Sequence, residues 1–508
     1  MPAQPSHDFW NRIFTIFDNN KFNISEAERA DPISYIKQVY NGPGVPTSKH
    51  ALMTKAHFTQ DTYDELRLKH GAVLKQLPNG LHQSTYKKNS RGIVLIGGGW
   101  YSWLSYLSLV SLRETGSKLP VEFILPTFHD YEQEYDFCHN VLPKLDASCV
   151  VVAEKLGTAV TRKWSFGSYQ YKALAIIAST FQHVILLDSD NILVKNPDSI
   201  FTSTVYKKHG LITWPDYWKR TISPFFYSVA GLRVNEKLRT RYDRFPLITP
   251  VAVNETEQLQ VPYHDLDGAI PDLSTESGQL IVNKKTHGKA LLVALYYNVF
   301  GPGYFYKLFS LGELGEGDKD TFVTAAMVVR KPHYQVKSYI RTVGYNDDSS
   351  FHGLGMGQKD PIMDYNVFTA EMKNLSRLYH KKDLPMDKQI SLLKNLEDNV
   401  FSSSSNIPLF AVHCNVKKVN PVDFMESKEI YNKKEHRLNV RMFSGLTYVD
   451  DRGDQPRQVD FEYMRWSFMD RILCEDEVKF STFENANMTK LCSYLKNTVK
   501  WLAQPAQI

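Results

Sequence analysis

The chain has 508 residues, a net charge of +5, 43% hydrophobic residues and 23% charged ones. That length suits one large domain with extensions, or two domains, and supports a sizeable core. So small a charge gives no case for nucleic acid as the main partner, and no run of about 18 apolar residues reads as a membrane span.

Residues 1–89 read as a mainly helical N-terminal region of polar helices and loops, with Pro and Gly clustered over 41–46. Its start lacks the charged-then-apolar layout of a signal peptide. The pattern changes at Arg91. Gly92–Ile96 is a short apolar run closed by three glycines, as a buried strand would be, and Trp100, Trp103, Leu104 and Leu107 follow at helical spacing. Further strands are predicted at Val121–Leu125, Cys149–Val152, His183–Leu187 and Leu211–Trp214, with a helix over Tyr171–Ser179. Apolar strands alternating with helices indicate an α/β fold with a mostly parallel central sheet covered on both faces. The later half is less regular. It offers a strand at Gln279–Val282, helices over Lys289–Asn298 and Asp318–Val328, and a Gly-, Asp- and Ser-rich long loop over 341–365. A polar linker at 402–405 precedes a strand at Pro408–His413, and the tail ends in a helix over Lys490–Leu502. The organisation expected is an N-terminal region 1–89, a catalytic domain 90–430 and a C-terminal extension 431–508 packing on it.

The five cysteines show no CxxC pair and no zinc spacing. Cys138 with Cys149 and Cys474 with Cys492 are candidate disulfides, and the odd count leaves one thiol over. Sequons at Asn23, Asn254, Asn374 and Asn487 permit a secretory location without requiring it. The 28 Tyr, 28 Phe and 8 Trp would serve pyranose faces or a large core equally.

Of three Asp-x-Asp pairs, Asp188/Asp190, Asp265/Asp267 and Asp318/Asp320, only the first follows a continuous apolar run. In an α/β sheet ligands bind beyond the carboxyl ends of strands, so this strand delivers two carboxylates to the crevice. A divalent cation removes their repulsion and suits carboxylate oxygen. The bland alternative is that both aspartates merely cap a turn. His413 also ends an apolar strand and is a candidate ligand, although a lone histidine is more often structural. Lys417 and Lys418 follow closely after it and are candidates to face a diphosphate. Gly97 and Gly98 match neither GxGxxG nor a P-loop; they allow close backbone approach to a nucleotide, or make a plain tight turn. Lys172 and Arg162 are candidate phosphate contacts or a solvated face. Trp214, Asp216, Tyr217 and Trp218 look like a sugar subsite, with core packing as the alternative. Glu276, with Gly278 and Gln279, lies at a strand edge, and Asp318 opens a helix, where capping is the ordinary role.

Taken together, Tyr169–Lys172, Val184–Asp190, Leu211–Trp218, Glu276–Gln279, Tyr296–Asn298, Gly315–Phe322 and Ala411–Cys414 resemble the fungal α-1,2-mannosyltransferases that start the side branches of cell-wall mannan, glycosyltransferase family 71. The resemblance covers about residues 90–425. It implies a GT-A type nucleotide-sugar fold, GDP-mannose as donor, Mn²⁺ as cofactor, a mannan or N-glycan acceptor and retention of the α configuration. It implies Asp188, Asp190 and His413 as metal ligands. Donor contacts are expected from Gly97, Gly98, Lys172, Asp188, Trp214, Asp216, Gln279 and Lys417. Glu276 and Asp318 are the catalytic candidates, holding mannose hydroxyls or stabilising positive charge, and Glu276 as a covalent nucleophile is the alternative. A type II Golgi protein is implied too, with its catalytic part in the lumen; the N-terminal anchor that such a protein needs is not among these residues. Competing readings are α-1,3 or phosphomannose transfer, a mannan-binding lectin, and a metal phosphohydrolase, which normally needs more ligands than these.

Overall fold

The computed structural model describes residues 4–25, 31–35, 46–347, 349–379, 384–450 and 456–504. The Pro/Gly cluster, save Pro46, lies outside them. The N-terminal region contributes α1 (Gln4–Asn19) and α2 (Gln60–Gln76), the latter capped by Thr59. Two larger sheets are built from β1 (Lys87–Ile96), β2 (Val121–Leu125), β3 (Ala147–Val151), β4 (Phe181–Leu187), β5 (Asn191–Leu193), β6 (Leu211–Pro215), β7 (Thr275–Asn283), β8 (Tyr334–Gln335), β9 (Arg341–Asn346), β10 (Phe351–Lys359) and β11 (Leu409–His413).

The main sheet runs β8-β6-β7-β4-β1-β2-β3. Every pairing in it is parallel except those of β7, which runs against both β4 and β6. The sheet is thus the mostly parallel α/β sheet expected of a GT-A type fold. Successive residues of a strand face opposite sides, and the core divides accordingly. Ile93, Leu95, Phe123, Ile185 and Leu187 enter one cluster, while Val94, Ile124, Val184 and Leu186 enter the other.

Helices cover both faces. After β1, α3 (Trp100–Glu114) packs on the first face, and α4 (Gln170–Ala178) on the second. α5 (Pro224–Val229), α6 (Lys284–Val299) and α7 (Thr321–Val328) join α4 there. The two ends of the chain close opposite faces. Trp10, Ile13, Phe14 and Phe17 of α1 join the α4/α6 cluster, with Phe17 against Tyr296. At the other end α8 (Phe461–Asp470) and α9 (Met488–Leu502) join the α3 cluster, where Trp103 packs edge-on to Phe480 and Phe483. Both candidate disulfides, Cys138–Cys149 and Cys474–Cys492, are formed, and Cys414 is the buried free thiol. Among the described residues no helix is long and apolar enough to cross a membrane.

A second sheet, β9-β10-β11-β5, is entirely antiparallel. It corrects the reading of 341–365 as a long loop: β9 and β10 form a hairpin, and a helix starts at Pro361. The glycines there serve close packing instead of looseness. A Cβ on Gly344 would lie 1.9 Å from the His352 carbonyl oxygen, and one on Gly355 would lie 2.7 Å from that of His413. Two further helices, Pro361–Tyr379 and Met386–Val400, and a small sheet built on Asn235–Tyr242 had no sequence expectation.

Candidate metal and donor site

β4 is buried throughout its last four residues and stops at Leu187, so Asp188 and Asp190 sit in the turn at its carboxyl end. The turn is tied down on three sides. Asp188 N–H donates to Gly278 O on β7 (2.7 Å), Asn191 N–H to Asp188 O (3.0 Å), and Ser108 Oγ to Ser189 O (2.9 Å). The chain then leaves the main sheet as β5 and pairs with β11, placing His413 opposite Asn191. Cys414 N–H closes this ladder on Asp190 O (3.0 Å). His413 Nε2 therefore lies 3.1 Å from Asp190 Oδ1 and 3.8 Å from Asp188 Oδ2.

The reversed direction of β7 brings its beginning to this same edge. Glu276 is the second residue of that strand, at its beginning as expected, and is buried. Its Oε1 faces His413 Nδ1 at 3.0 Å and accepts the Gly278 N–H; its Oε2 accepts from Gln279 Nε2 (2.6 Å) and Gln358 Nε2 (3.4 Å). Lys172, in the first turn of α4, reaches Asp188 Oδ2 (2.9 Å), Ser277 Oγ (2.9 Å) and Asp318 Oδ1 (3.7 Å). Lys418 reaches Asp190 Oδ2 at 3.2 Å. Asp318 precedes the helix instead of opening it: α7 starts at Thr321, with Asp320 as its N-cap.

Burial pushes the Asp188 carboxyl up, and neighbouring Asp190 adds to this against Lys172 and His413. Asp318 is pushed up to about 6, by burial first and with Asp188 contributing, against Lys172. Burial opposes the charged forms of Asp190 and Glu276 too, but His413 holds both below the usual carboxylate range. His413 itself is raised well above its ordinary value: burial disfavours the imidazolium, and Glu276 and Asp190 overcome it.

These groups fit a divalent cation. One ligand atom each from Asp188, Asp190 and His413 lies within 4.8 Å of the others. The set is two carboxylate oxygens and an imidazole nitrogen, a mixed oxygen and nitrogen donor set that suits a divalent metal. Glu276 on Nδ1 leaves Nε2 to face the carboxylates, the outer hydrogen bond that fixes a metal-binding histidine. The four carboxylates exceed the two lysines in charge, and the buried Asp318 Oδ2 has no hydrogen-bond partner.

The remaining expected residues divide. Asp216 follows β6 at the same edge; it is buried, raised by that burial, and paired with Lys319 at 2.8 Å. Gly97 and Gly98 do close β1, but their N–H groups are taken by Ile124 O (3.0 Å) and Ser102 Oγ (2.8 Å). Gly98, at φ +103°, requires glycine's freedom. Two donor expectations are corrected. Trp214 is 0% exposed, stacks on Phe410 and donates its indole N–H to Lys359 O (2.8 Å), so it is core. Gln279, also 0% exposed, supports Glu276 and cannot touch a donor. Lys417 is half-buried and lies over the Phe424 ring at 5.9 Å, while its neighbour Lys418 reaches Asp190. Arg162 is exposed beyond the short helix Thr158–Thr161. Asp265 and Asp320 serve structural ion pairs with Arg239 and Arg220. Reasoning from sequence missed Gln358 and Ser277. Ser277 stands within the Glu276–Gln279 run; Gln358 carried no signal, being inside the hairpin read as a loop.

A family model described as a mannosyltransferase matches residues 90–360. Alpha-1,2-mannosyltransferase MNN23 of Candida albicans is 45% identical over 98% of this chain and 85% of its own length, and MNN22 of the same organism is 42% identical over 98% and 86%. Alpha-1,2-mannosyltransferase MNN2 of Saccharomyces cerevisiae is 34% identical over 83% of this chain and 71% of its own. The chain therefore belongs to the fungal α-1,2-mannosyltransferase family of glycosyltransferases.

Proposed function

We propose that the protein moves mannose from GDP-mannose to the 2-hydroxyl of an α-1,6-linked mannan backbone in N-glycan outer-chain branching, with retention, and that it uses Mn²⁺ held by Asp188, Asp190 and His413. The observation that carries this is the convergence of those three ligand atoms, from strands 223 residues apart in sequence, at the carboxyl edge of the main sheet with a lysine on either side. Bound there, the cation supplies electrostatic stabilisation of the departing diphosphate without proton transfer.

The side chains divide the remaining work. Lys172 and Lys418 offer ammonium groups to the same diphosphate. Asp318, beside Lys172, offers acceptors to mannose hydroxyls. The bond from the anomeric carbon to the phosphate oxygen breaks, and the bond to the acceptor oxygen forms on the same face. The acceptor's proton passes to the leaving phosphate, so no dedicated base is needed. Glu276 is a positioning residue in this scheme, because every acceptor direction of its carboxylate is engaged by the protein. That weighs against a covalent intermediate on it. The two disulfides support a secretory compartment, read as the Golgi lumen, with any membrane attachment through an N-terminal anchor. Residues 1–89 and 431–508 are read as braces on the catalytic part 90–430, since α1 and α8–α9 close opposite faces of its core.

The test is incubation with GDP-mannose, Mn²⁺ and an α-1,6-linked mannose oligomer, with product linkage read by NMR. New α-1,2-linked branches are expected. An unchanged acceptor beside good turnover of a UDP-sugar, or a different linkage, overturns the proposal.

A further inference from the structure

A cavity of about 660 Å³ lies between the N-terminal region and α5, and shares no residue with the metal and donor site. Its size falls within the ~300–1,000 Å³ of ordinary ligand pockets. Three half-buried aromatic rings line it. Phe58 and Tyr63 lie nearly parallel, 16° between planes and 6.5 Å between centroids. Phe225 stands across both, at 76° to Phe58 and 68° to Tyr63. Together they make a corner with two floors and a wall. The Tyr63 hydroxyl meets Ser228 Oγ at 2.5 Å, and Lys49 pairs with Glu236 at 2.6 Å, the lysine 41% and the glutamate 35% exposed.

The chemistry of this lining narrows its occupant. Lys49 and Glu236 neutralise each other, so a phosphate or another anion finds no surplus cation. Hydroxyls and an accessible ion pair beside the rings disfavour a wholly apolar ligand. A pyranose matches both halves, since one face carries C–H groups that lie against an aromatic ring and its rim carries hydroxyls that serve as donor and acceptor. The geometry points to a second glycan site, one that holds a mannose segment of a polymeric acceptor outside the crevice where transfer occurs. The identity of the sugar rests on the proposed function. Such a site acts by effective concentration: a chain held there presents its other hydroxyls to the crevice intramolecularly.

The test compares a long α-1,6-mannan with an α-1,6-mannobiose as acceptors of the whole protein and of two variants, Phe58→Ala and Glu236→Gln. Loss of an anchoring aromatic face typically exceeds about 1 kcal/mol, so KM for the polymer should rise about tenfold in Phe58→Ala. kcat and the mannobiose parameters should not change. Glu236→Gln, which keeps the rings, should raise the polymer KM less. Polymer KM unchanged in both variants, or polymer and mannobiose KM rising together, overturns the second site while leaving the proposed activity standing. A binding arm separates the two proposals. Inactive Asp190→Ala protein is titrated with the mannan, metal- and donor-free, by calorimetry. Binding retained there and lost on adding Phe58→Ala supports the site even if no transfer is ever seen. Equal binding by both, or none by either, overturns it.

Discussion

Replacing Glu276 with glutamine separates its two candidate roles. In the structure its Oε1 faces His413 Nδ1 and accepts the Gly278 N–H, and its Oε2 accepts from two glutamine amides. The variant keeps the shape but removes the charge, and turns an NH₂ group toward donors that all point inward. Hydrogen bonds to a charged partner are worth about 1.5–3 kcal/mol each. Losing one at His413 loosens the ring and lowers its basicity. Outer-shell changes of this kind cost ~10–100-fold in metal affinity, or about 1.4–2.7 kcal/mol. The assay titrates Mn²⁺ against transfer rate and, independently, against binding read by electron paramagnetic resonance. Both midpoints should shift by the same factor, and saturating Mn²⁺ should return most of kcat. Were Glu276 the nucleophile, kcat would stay down by orders of magnitude at any Mn²⁺ concentration while the binding midpoint barely moved. That result would refute the positioning role.

Asp190→Ala should abolish transfer, by at least about a thousandfold in kcat/KM, or ~4 kcal/mol of transition-state stabilisation. Its circular dichroism and urea midpoint should stay near wild type, and substantial activity at saturating Mn²⁺ would contradict the ligand assignment. Arg220 is fully buried, pairs with Asp320 at 2.5 Å, and donates to the carbonyls of Pro271 and Leu273. Arg220→Ala strands that carboxylate and should cost about 3–5 kcal/mol in urea unfolding. Lys284 is wholly buried against Ser179 O (2.6 Å), and burial lowers its pKa to about 7 from 10.5, with Glu122 opposing. Below pH 7 it is charged folded and unfolded alike. Between pH 7 and 10.5 only the unfolded chain holds the proton, so this group's burial costs most at the low end of that window and least at the high end, and stability falls toward acid. The sign is set by proton count: the unfolded state binds more protons, so stability would rise with pH wherever this group dominates. Lys284→Met should therefore lose ground to wild type as pH rises from about 7 to about 10.5, and urea midpoints with a constant difference would refute this.

How far the sequence discloses the site depends on what marks each residue. Asp188 and Asp190 are marked by the apolar run of a buried strand, which also fixes where they point. His413 is marked the same way, by Leu409–Val412. Trp214 misleads because it stands two residues from Asp216. The indole is large and has one polar atom, and whether it faces a sugar or the Phe410 ring is settled by strand position alone. Lys417 and Lys418 are indistinguishable in composition; the turn after β11 sends one to Phe424 and the other to Asp190. The β9–β10 hairpin escapes notice because Gly344, Gly353, Gly355 and Gly357 imitate a loop. In fact neighbouring backbone passes too close for a Cβ at Gly344, Gly355 and Gly357.

The reversed strand explains why the site needs so few loops. Had β7 run parallel to β4, the carboxyl edge would hold its Asn283 end, and Glu276 would lie at the opposite side of the sheet. Running antiparallel, it pairs Gln279 with Leu187, the last residue before Asp188, and thereby sets Glu276 beside the candidate metal ligands. β5 does the equivalent for His413. It begins one residue after Asp190 and pairs at once with β11, so the separation of Asp190 from His413 is set by a sheet register. A register cannot drift by fractions of a residue, as one-residue slippage would turn every side chain to the other face. Ligands placed by ladders are held more tightly than ligands placed by loops. The ladder therefore keeps the half-buried Asp188 and the buried Asp190 carboxylates near each other before any cation arrives. That is an arrangement burial alone resists, as the raised Asp188 shows.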